Sequence, residues 1–127
     1  MTQLPTILLI NLDGSDDRLA RAATQFAEAD IDFERLPAFD GRGLMVADFP
    51  GYDPERALDY MGRPLRGGEI GCYLSHLAAA RRIAAGADPI GIVFEDDFAL
   101  PPGGAGTLRA LVDWLAGRDD WDLVNLG

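Results

Sequence analysis

Ile90-Gly91-Ile92-Val93-Phe94-Glu95-Asp96-Asp97-Phe98 carries an apolar run straight into three consecutive carboxylates. The run reads as a buried strand, and its acidic end makes it a candidate metal site. Three anions this close repel one another, so one carboxyl stays protonated unless a cation offsets the repulsion. Residues two apart on a strand share a face, which places Glu95 and Asp97 to converge on one ion while Asp96 faces away. The competing reading is a solvated acidic strand end, since acidic loops after strands are common in α/β proteins.

Working outward from that strand, Thr6 to Leu12 is rich in β-branched residues and leucine, as expected of a parallel strand covered on both faces. Asp13-Gly14-Ser15 turns the chain. From Asp16 onward, Leu19, Ala22, Ala23, Phe26 and Ala27 fall at helical spacing, with Ser15 placed to cap the helix and acidic residues in its first turn. A short strand around Phe33 to Leu36 ends near Pro37, and Asp40-Gly41 marks the turn beyond it. Between Arg42 and Gly68 the periodicity weakens. Only Pro54 to Met61 predicts a short helix there, with Pro at its first position. Glu69 to Ala85 predicts a helix apolar on most faces, hence centrally packed, closed by Gly86 with Pro89 beyond. After the strand at Ile90, Pro101-Pro102-Gly103-Gly104 leads to a helix with Leu108, Leu111, Val112 and Leu115 on one face, stopped by Gly117. Trp121 to Leu126 predicts a last strand. Trp114 and Trp121 are expected in the core or at its edge.

The order strand, helix, strand, excursion, helix, strand, helix, strand predicts an α/β fold, a mostly parallel sheet with helices on both faces. With 127 residues, 48% of them hydrophobic, the expectation is a single domain over residues 1–127. The formal net charge of -10 opposes binding to nucleic acid or to an anionic membrane surface. Every basic residue other than the single histidine is Arg, which removes mechanisms that need a lysine: Walker-type phosphate loops, Schiff-base chemistry and the receiver-domain phosphorylation switch. The one cysteine, Cys72, excludes an intrachain disulfide and fits a reducing compartment. The stretch from Ile7 to Leu12 is short, lacks a basic leader and runs into Asp13, so neither a signal peptide nor a transmembrane segment is expected. The expected location is the cytoplasm, with a peripheral position at the inner face of the membrane as the alternative.

In open parallel sheets, ligands bind beyond the carboxyl ends of the strands, where the loops after Leu12 and Phe94 both lie. A nucleotide there sets its phosphates against a metal held by Glu95 and Asp97, with Arg18 as a further anion contact near a helix N-terminus. The other reading of Arg18 is a surface ion pair with Asp13, Asp16 or Asp17.

Four blocks, Ile10-Asn11-Leu12-Asp13 with Arg18, Pro37-Ala38-Phe39-Asp40-Gly41, Gly68-Glu69-Ile70-Gly71-Cys72-Tyr73-Leu74-Ser75-His76, and Phe94-Glu95-Asp96-Asp97, resemble glycosyltransferase family 25 in order and approximate spacing. The family includes bacterial lipooligosaccharide galactosyl- and glucosyltransferases and collagen galactosyltransferases. The resemblance implies a GT-A-like, Rossmann-like nucleotide-sugar-binding half, covering essentially the whole chain but only about the first half of a typical member. It implies a UDP-sugar donor, a saccharide or glycolipid acceptor, and manganese or magnesium bound by Glu95 and Asp97, with Asn11, Asp13, Arg18 and Asp96 around the donor. The ion's part is to stabilise charge on the departing nucleoside diphosphate. No residue identifies itself as the catalytic base: Asp13, Asp96 and a residue beyond Gly127 all stay open.

His76 and Cys72 lie four apart on one predicted helix, with Glu69 a turn further back. A Glu69-Cys72-His76 metal site is the minor reading, because structural zinc usually takes four ligands. Hydrogen bonding of His76 to a neighbouring loop is favoured, and a Cys72 nucleophile is disfavoured because a lone helical cysteine is typically a small buried hydrophobe. Beside the transferase, two other classes stay open: a nucleotide-sugar or metal-binding module without catalysis, and an α/β phosphohydrolase.

Overall fold

The computed structural model describes residues 3–127. Among these residues, three strands form one parallel sheet: β1 (Thr6–Asn11) lies between β2 (Glu34–Pro37) and β3 (Gly91–Glu95). Leu9 stands opposite Arg35 on one side and Phe94 on the other, which fixes the register. Four α-helices among the described residues accompany the sheet: α1 (Asp16–Glu28), α2 (Pro54–Met61), α3 (Gly67–Ala85) and α4 (Gly104–Ala116). The architecture is therefore the α/β one that the alternation predicts, with an all-parallel sheet.

Strand alternation divides β1 between two apolar layers. Ile7 and Leu9 face α1 and α4, packing with Ala22, Phe26, Ile31, Ile92, Leu108 and Val112. Leu8 and Ile10 face the opposite way, toward Ala79 and Ile83 of α3. Phe26 is fully buried, and its ring lies 4.7–5.2 Å from the ring centroids of Phe33, Phe94 and Phe98. Such aromatic contacts add about 0.5–1.5 kcal/mol each beyond area burial. Gln25 completes the clamp between α1 and the loop after β3: its Nε2 donates to the Phe98 carbonyl and its Oε1 accepts from the Leu100 amide.

α3 owes its position to backbone proximity. A Cβ on Gly41 would stand 1.9 Å from the Gly67 carbonyl oxygen, and one on Gly71 would stand 2.6 Å from that of Phe39. The loop after β2 and the first turns of α3 thus touch main chain to main chain, which a side chain at these glycines would prevent. Ser75, itself buried, fastens the contact: its hydroxyl donates to the Gly71 carbonyl and accepts from the Phe39 amide. Glu69 closes the helix start, accepting from the Arg66 amide and from the Arg63 guanidinium.

Four expectations need correction. Trp121 to Leu126 forms no strand, because nothing among the described residues offers it a ladder; Leu123 is 89% exposed, and the Trp121 indole donates to the Leu115 carbonyl instead. Trp114 is exposed and lies under the Arg118 guanidinium, so it is a surface residue. α3 is covered on its sheet-facing side only: Ile70, Gly71, Ser75 and Ala79 are buried, while Cys72, Tyr73, His76 and Ala80 face outward. Ser15 does stand at the start of α1, but its side chain makes no capping bond.

Candidate functional site

β1 and β3 deliver Asn11 and Asp96 to the same end of the sheet, and a hydrogen-bonded chain of side chains joins them. Asn11 is 2% exposed; its amide donates to Asp96 Oδ2 at 2.7 Å and to the Ser15 carbonyl at 3.2 Å. Its Oδ1 accepts from Arg35 Nε at 2.9 Å. Arg35 also reaches the Asn11 carbonyl and pairs with Asp13 at 2.6 Å, tying β2 to the loop after β1. On the far side, Asp96 Oδ1 accepts from Arg18 at 2.7 Å, and Arg18 lies 3.9 Å from Asp97. The buried carboxylate of Asp96 is therefore engaged at both oxygens, and no buried side-chain polar atom among the described residues lacks a partner.

The acidic triplet splits three ways. β3 ends at Glu95, so the two-residue alternation stops there and Asp97 lies in the following turn. Asp96 turns inward rather than away. Glu95 leans toward α3, where Oε1 lies 2.8 Å from His76 Nε2 and accepts from the Cys72 thiol at 3.4 Å. The hydrogen bond from His76 holds the Glu95 carboxyl below its ordinary range against the opposing effect of burial, with Cys72 adding to the lowering. Burial, then the hydrogen bond and charge of Glu95, push the Cys72 thiol up. Both effects disfavour the thiolate and so count against Cys72 as a nucleophile.

The triad that the structure assembles is Cys72, His76 and Glu95, whose ligand atoms lie within 4.8 Å of one another. Glu69, the carboxylate that helical spacing suggested, faces Arg63 and Arg66 instead. His76 bonds to Glu95 at the very end of β3, a strand residue and not the neighbouring loop that was expected. Arg18 pairs with Asp96 and Asp97, not with the acidic residues of its own helix.

Beside this network opens a cleft of about 240 Å³. Ile10, Leu12 and Arg18 line it from the first strand-to-helix passage, residues 38–42 from the loop after β2, Gly68, Cys72 and Ser75 from α3, and Glu95 and Asp96 from the end of β3. All four sequence blocks meet here. Asn11 is buried behind the wall, while Asp13 and Asp97, with side chains 84% and 66% exposed, stand outside the lining. As oxygen donors, Glu95 and Asp97 suit a hard divalent cation, whereas Asp96 is already satisfied by Asn11 and Arg18. Sequence reasoning missed Arg35, which joins Asn11 to Asp13. Its only signal was a charged residue inside a short strand.

The acidic, arginine-bearing cleft lies at the carboxyl end of a parallel α/β sheet, the place where open sheets of this kind take their ligands. Residues 4–110 match the family described as glycosyltransferase family 25 (LPS biosynthesis protein), and the chain belongs to that family. It is 33% identical over 130 residues to a glycosyltransferase 25 family member of Aedes aegypti, and 34% identical over 131 residues to procollagen galactosyltransferase 1-B of Xenopus laevis. It is also 34% identical over 131 residues to the inactive glycosyltransferase 25 family member 3 of Homo sapiens. Each match takes in 95% of this chain and 21% of the relative, so the chain spans about a fifth of the length of these proteins. Among the described residues, no helix is long and apolar enough to cross a membrane.

Proposed function

We propose that the cleft binds the diphosphate of a nucleotide-sugar donor, in a glycosyltransferase that passes a hexose to an acceptor hydroxyl. The observation that carries this reading is the convergence of four sequence blocks, spread from Ile10 to Asp97, around one cleft at the carboxyl end of the sheet. Uridine diphosphate galactose or glucose is the proposed donor. The galactosyltransferase relatives support galactose, and the family's link to LPS biosynthesis supports a saccharide or glycolipid acceptor. The unpaired Cys72 supports a reducing compartment, and the cytoplasm is the proposed location.

Arg18, half exposed at the cleft wall, offers its guanidinium to the donor phosphates while Asp96 holds it in place. Asn11 in turn fixes Asp96, which makes Asp96 a positioning residue and not the general base. Asp13, held by Arg35 in the turn after β1, is proposed as a further donor contact from outside the cleft lining. Glu95 and Asp97 are the proposed ligands of manganese or magnesium; when bound, that ion supplies charge neutralisation for the departing nucleoside diphosphate. A second reading, a donor-binding module without turnover, is favoured by the match to a relative named inactive at the same identity as the galactosyltransferase.

The test is thermal unfolding of the chain with uridine diphosphate. The nucleotide raises Tm only when manganese or magnesium is present, by the equivalent of about 2.7 kcal/mol at roughly 100 times Kd, because it binds the folded form alone. Asp97→Ala removes the shift. An undiminished shift in that variant would refute the placement of the cation, and the absence of any shift in the parent chain would refute donor binding.

A further inference from the structure

We propose that Cys72, His76 and Glu95 form a second metal site, one for a zinc-class divalent ion, which shares Glu95 with the donor-side carboxylate pair but is otherwise separate from it. Cys72 and His76 lie one helical turn apart on α3, a spacing that sets two side chains side by side on the helix surface. The end of β3 brings the third ligand to them. Nε2 of His76 and Sγ of Cys72 lie 2.8 Å and 3.4 Å from the same Glu95 oxygen, and all three ligand atoms fall within 4.8 Å. Zinc bonds of about 2.0–2.3 Å in tetrahedral geometry put ligand atoms roughly 3.3–3.8 Å apart. The observed spacings bracket that range, so the ion enters with small movements of three exposed side chains and no change of backbone.

The donor set decides which ion. One thiol, one imidazole and one carboxylate make a borderline-soft site, suited to zinc and poorly suited to the oxygen-seeking manganese and magnesium proposed for the donor. On binding, the Cys72 sulfur forms a bond to the metal and its proton leaves to solvent. His76 binds through a neutral ring nitrogen and Glu95 through its anionic carboxylate. Three protein ligands leave a fourth position, which water fills, as in other open zinc sites. Because Cys72 and Glu95 both line the cleft, zinc here keeps Glu95 on the α3 side, apart from Asp97, and weakens retention of the donor-side cation.

The experiment titrates the reduced chain with cobalt, a spectroscopic stand-in for zinc, without nucleotide. The expected result is one ion per chain, the visible absorption of tetrahedral cobalt, and a thiolate-to-cobalt charge-transfer band, all abolished by added zinc. Cys72→Ser removes the charge-transfer band, and His76→Gln weakens binding by about tenfold or more. Asp97→Ala leaves both within about twofold, because that residue is not among the ligands. A spectrum lacking the sulfur band, a band that survives Cys72→Ser, or one ion shared between two chains would overturn the proposal. The manganese-dependent nucleotide shift is read on the parent chain alongside the cobalt titration. Its absence in a parent chain that gives the cobalt spectrum counts against the donor reading alone, and a parent chain that shows the shift but no sulfur band counts against the zinc site alone.

Discussion

Asn11→Ala removes the buried junction that joins the carboxyl ends of all three strands. The parent side chain donates to Asp96 at 2.7 Å and to the Ser15 carbonyl at 3.2 Å, and accepts from Arg35 at 2.9 Å. Two of these partners are charged, and hydrogen bonds to charged groups contribute about 1.5–3 kcal/mol each, against about 1 kcal/mol for a neutral one. The amide is 2% exposed, so water cannot readily replace it, and the 8%-exposed Asp96 loses one of its two partners. The three bonds share atoms and their losses do not add fully. The expected net cost is about 3–5 kcal/mol, which for a chain of this size corresponds to a fall in Tm on the order of 10–20 °C. Urea unfolding followed by circular dichroism measures it. Asp13→Ala serves as the internal comparison: it removes a pair whose carboxylate is 84% exposed and costs about 1 kcal/mol or less. A loss below about 1 kcal/mol for Asn11→Ala, or one no larger than that of Asp13→Ala, would refute the view that this residue organises the site. A double-mutant cycle of Asn11→Ala with Asp96→Asn should return a coupling of about 0.5–3 kcal/mol.

Gly71→Ala should destabilise by about 1–3 kcal/mol, since the new methyl meets the Phe39 carbonyl at 2.6 Å and the Gly41 amide nitrogen at 2.9 Å; chemical denaturation reads the change, and Gly68→Ala, with open space around its Cβ, should be far milder. Phe26→Ala should cost about 3–5 kcal/mol by emptying the centre of the aromatic cluster, read as a lower urea midpoint with unchanged slope. Stability should fall with acid through Glu69: its carboxyl is held down from its ordinary 4.5 to about 2 by Arg63 and the Arg66 amide. A depressed carboxyl stabilises the fold fully above its unfolded value and loses that effect as pH drops from about 4.5 toward 2, so Glu69→Gln should flatten the pH dependence in that window. An unchanged acid limb in the variant would place the effect elsewhere.

The reason why so much of this fold could be read in advance lies in local patterning. The apolar runs at Thr6 to Leu12 and Ile90 to Phe94 announce buried parallel strands, and β1 and β3 form there. Pro54 opens α2 and Gly86 closes α3, because proline and glycine act on the backbone of their own neighbourhood. The failure at Trp121 to Leu126 is equally instructive. Its alternation carries strand propensity, but a strand exists only where another strand accepts its hydrogen bonds, and pairing is not a local property.

The sequence by itself determined the alternation of strands and helices, the parallel sense of the sheet, and the four blocks that gather at its carboxyl end. Only the tertiary structure decided which carboxylate does what. Glu95, Asp96 and Asp97 are adjacent and chemically alike, yet one leans to Cys72 and His76, one is buried against Asn11 and Arg18, and one stays in solvent. Their separation depends on partners 19 to 85 residues away along the chain, brought within hydrogen-bonding distance by the packing of α1 and α3 on opposite faces of one sheet. A periodicity repeats every two or four residues and carries no information over that range.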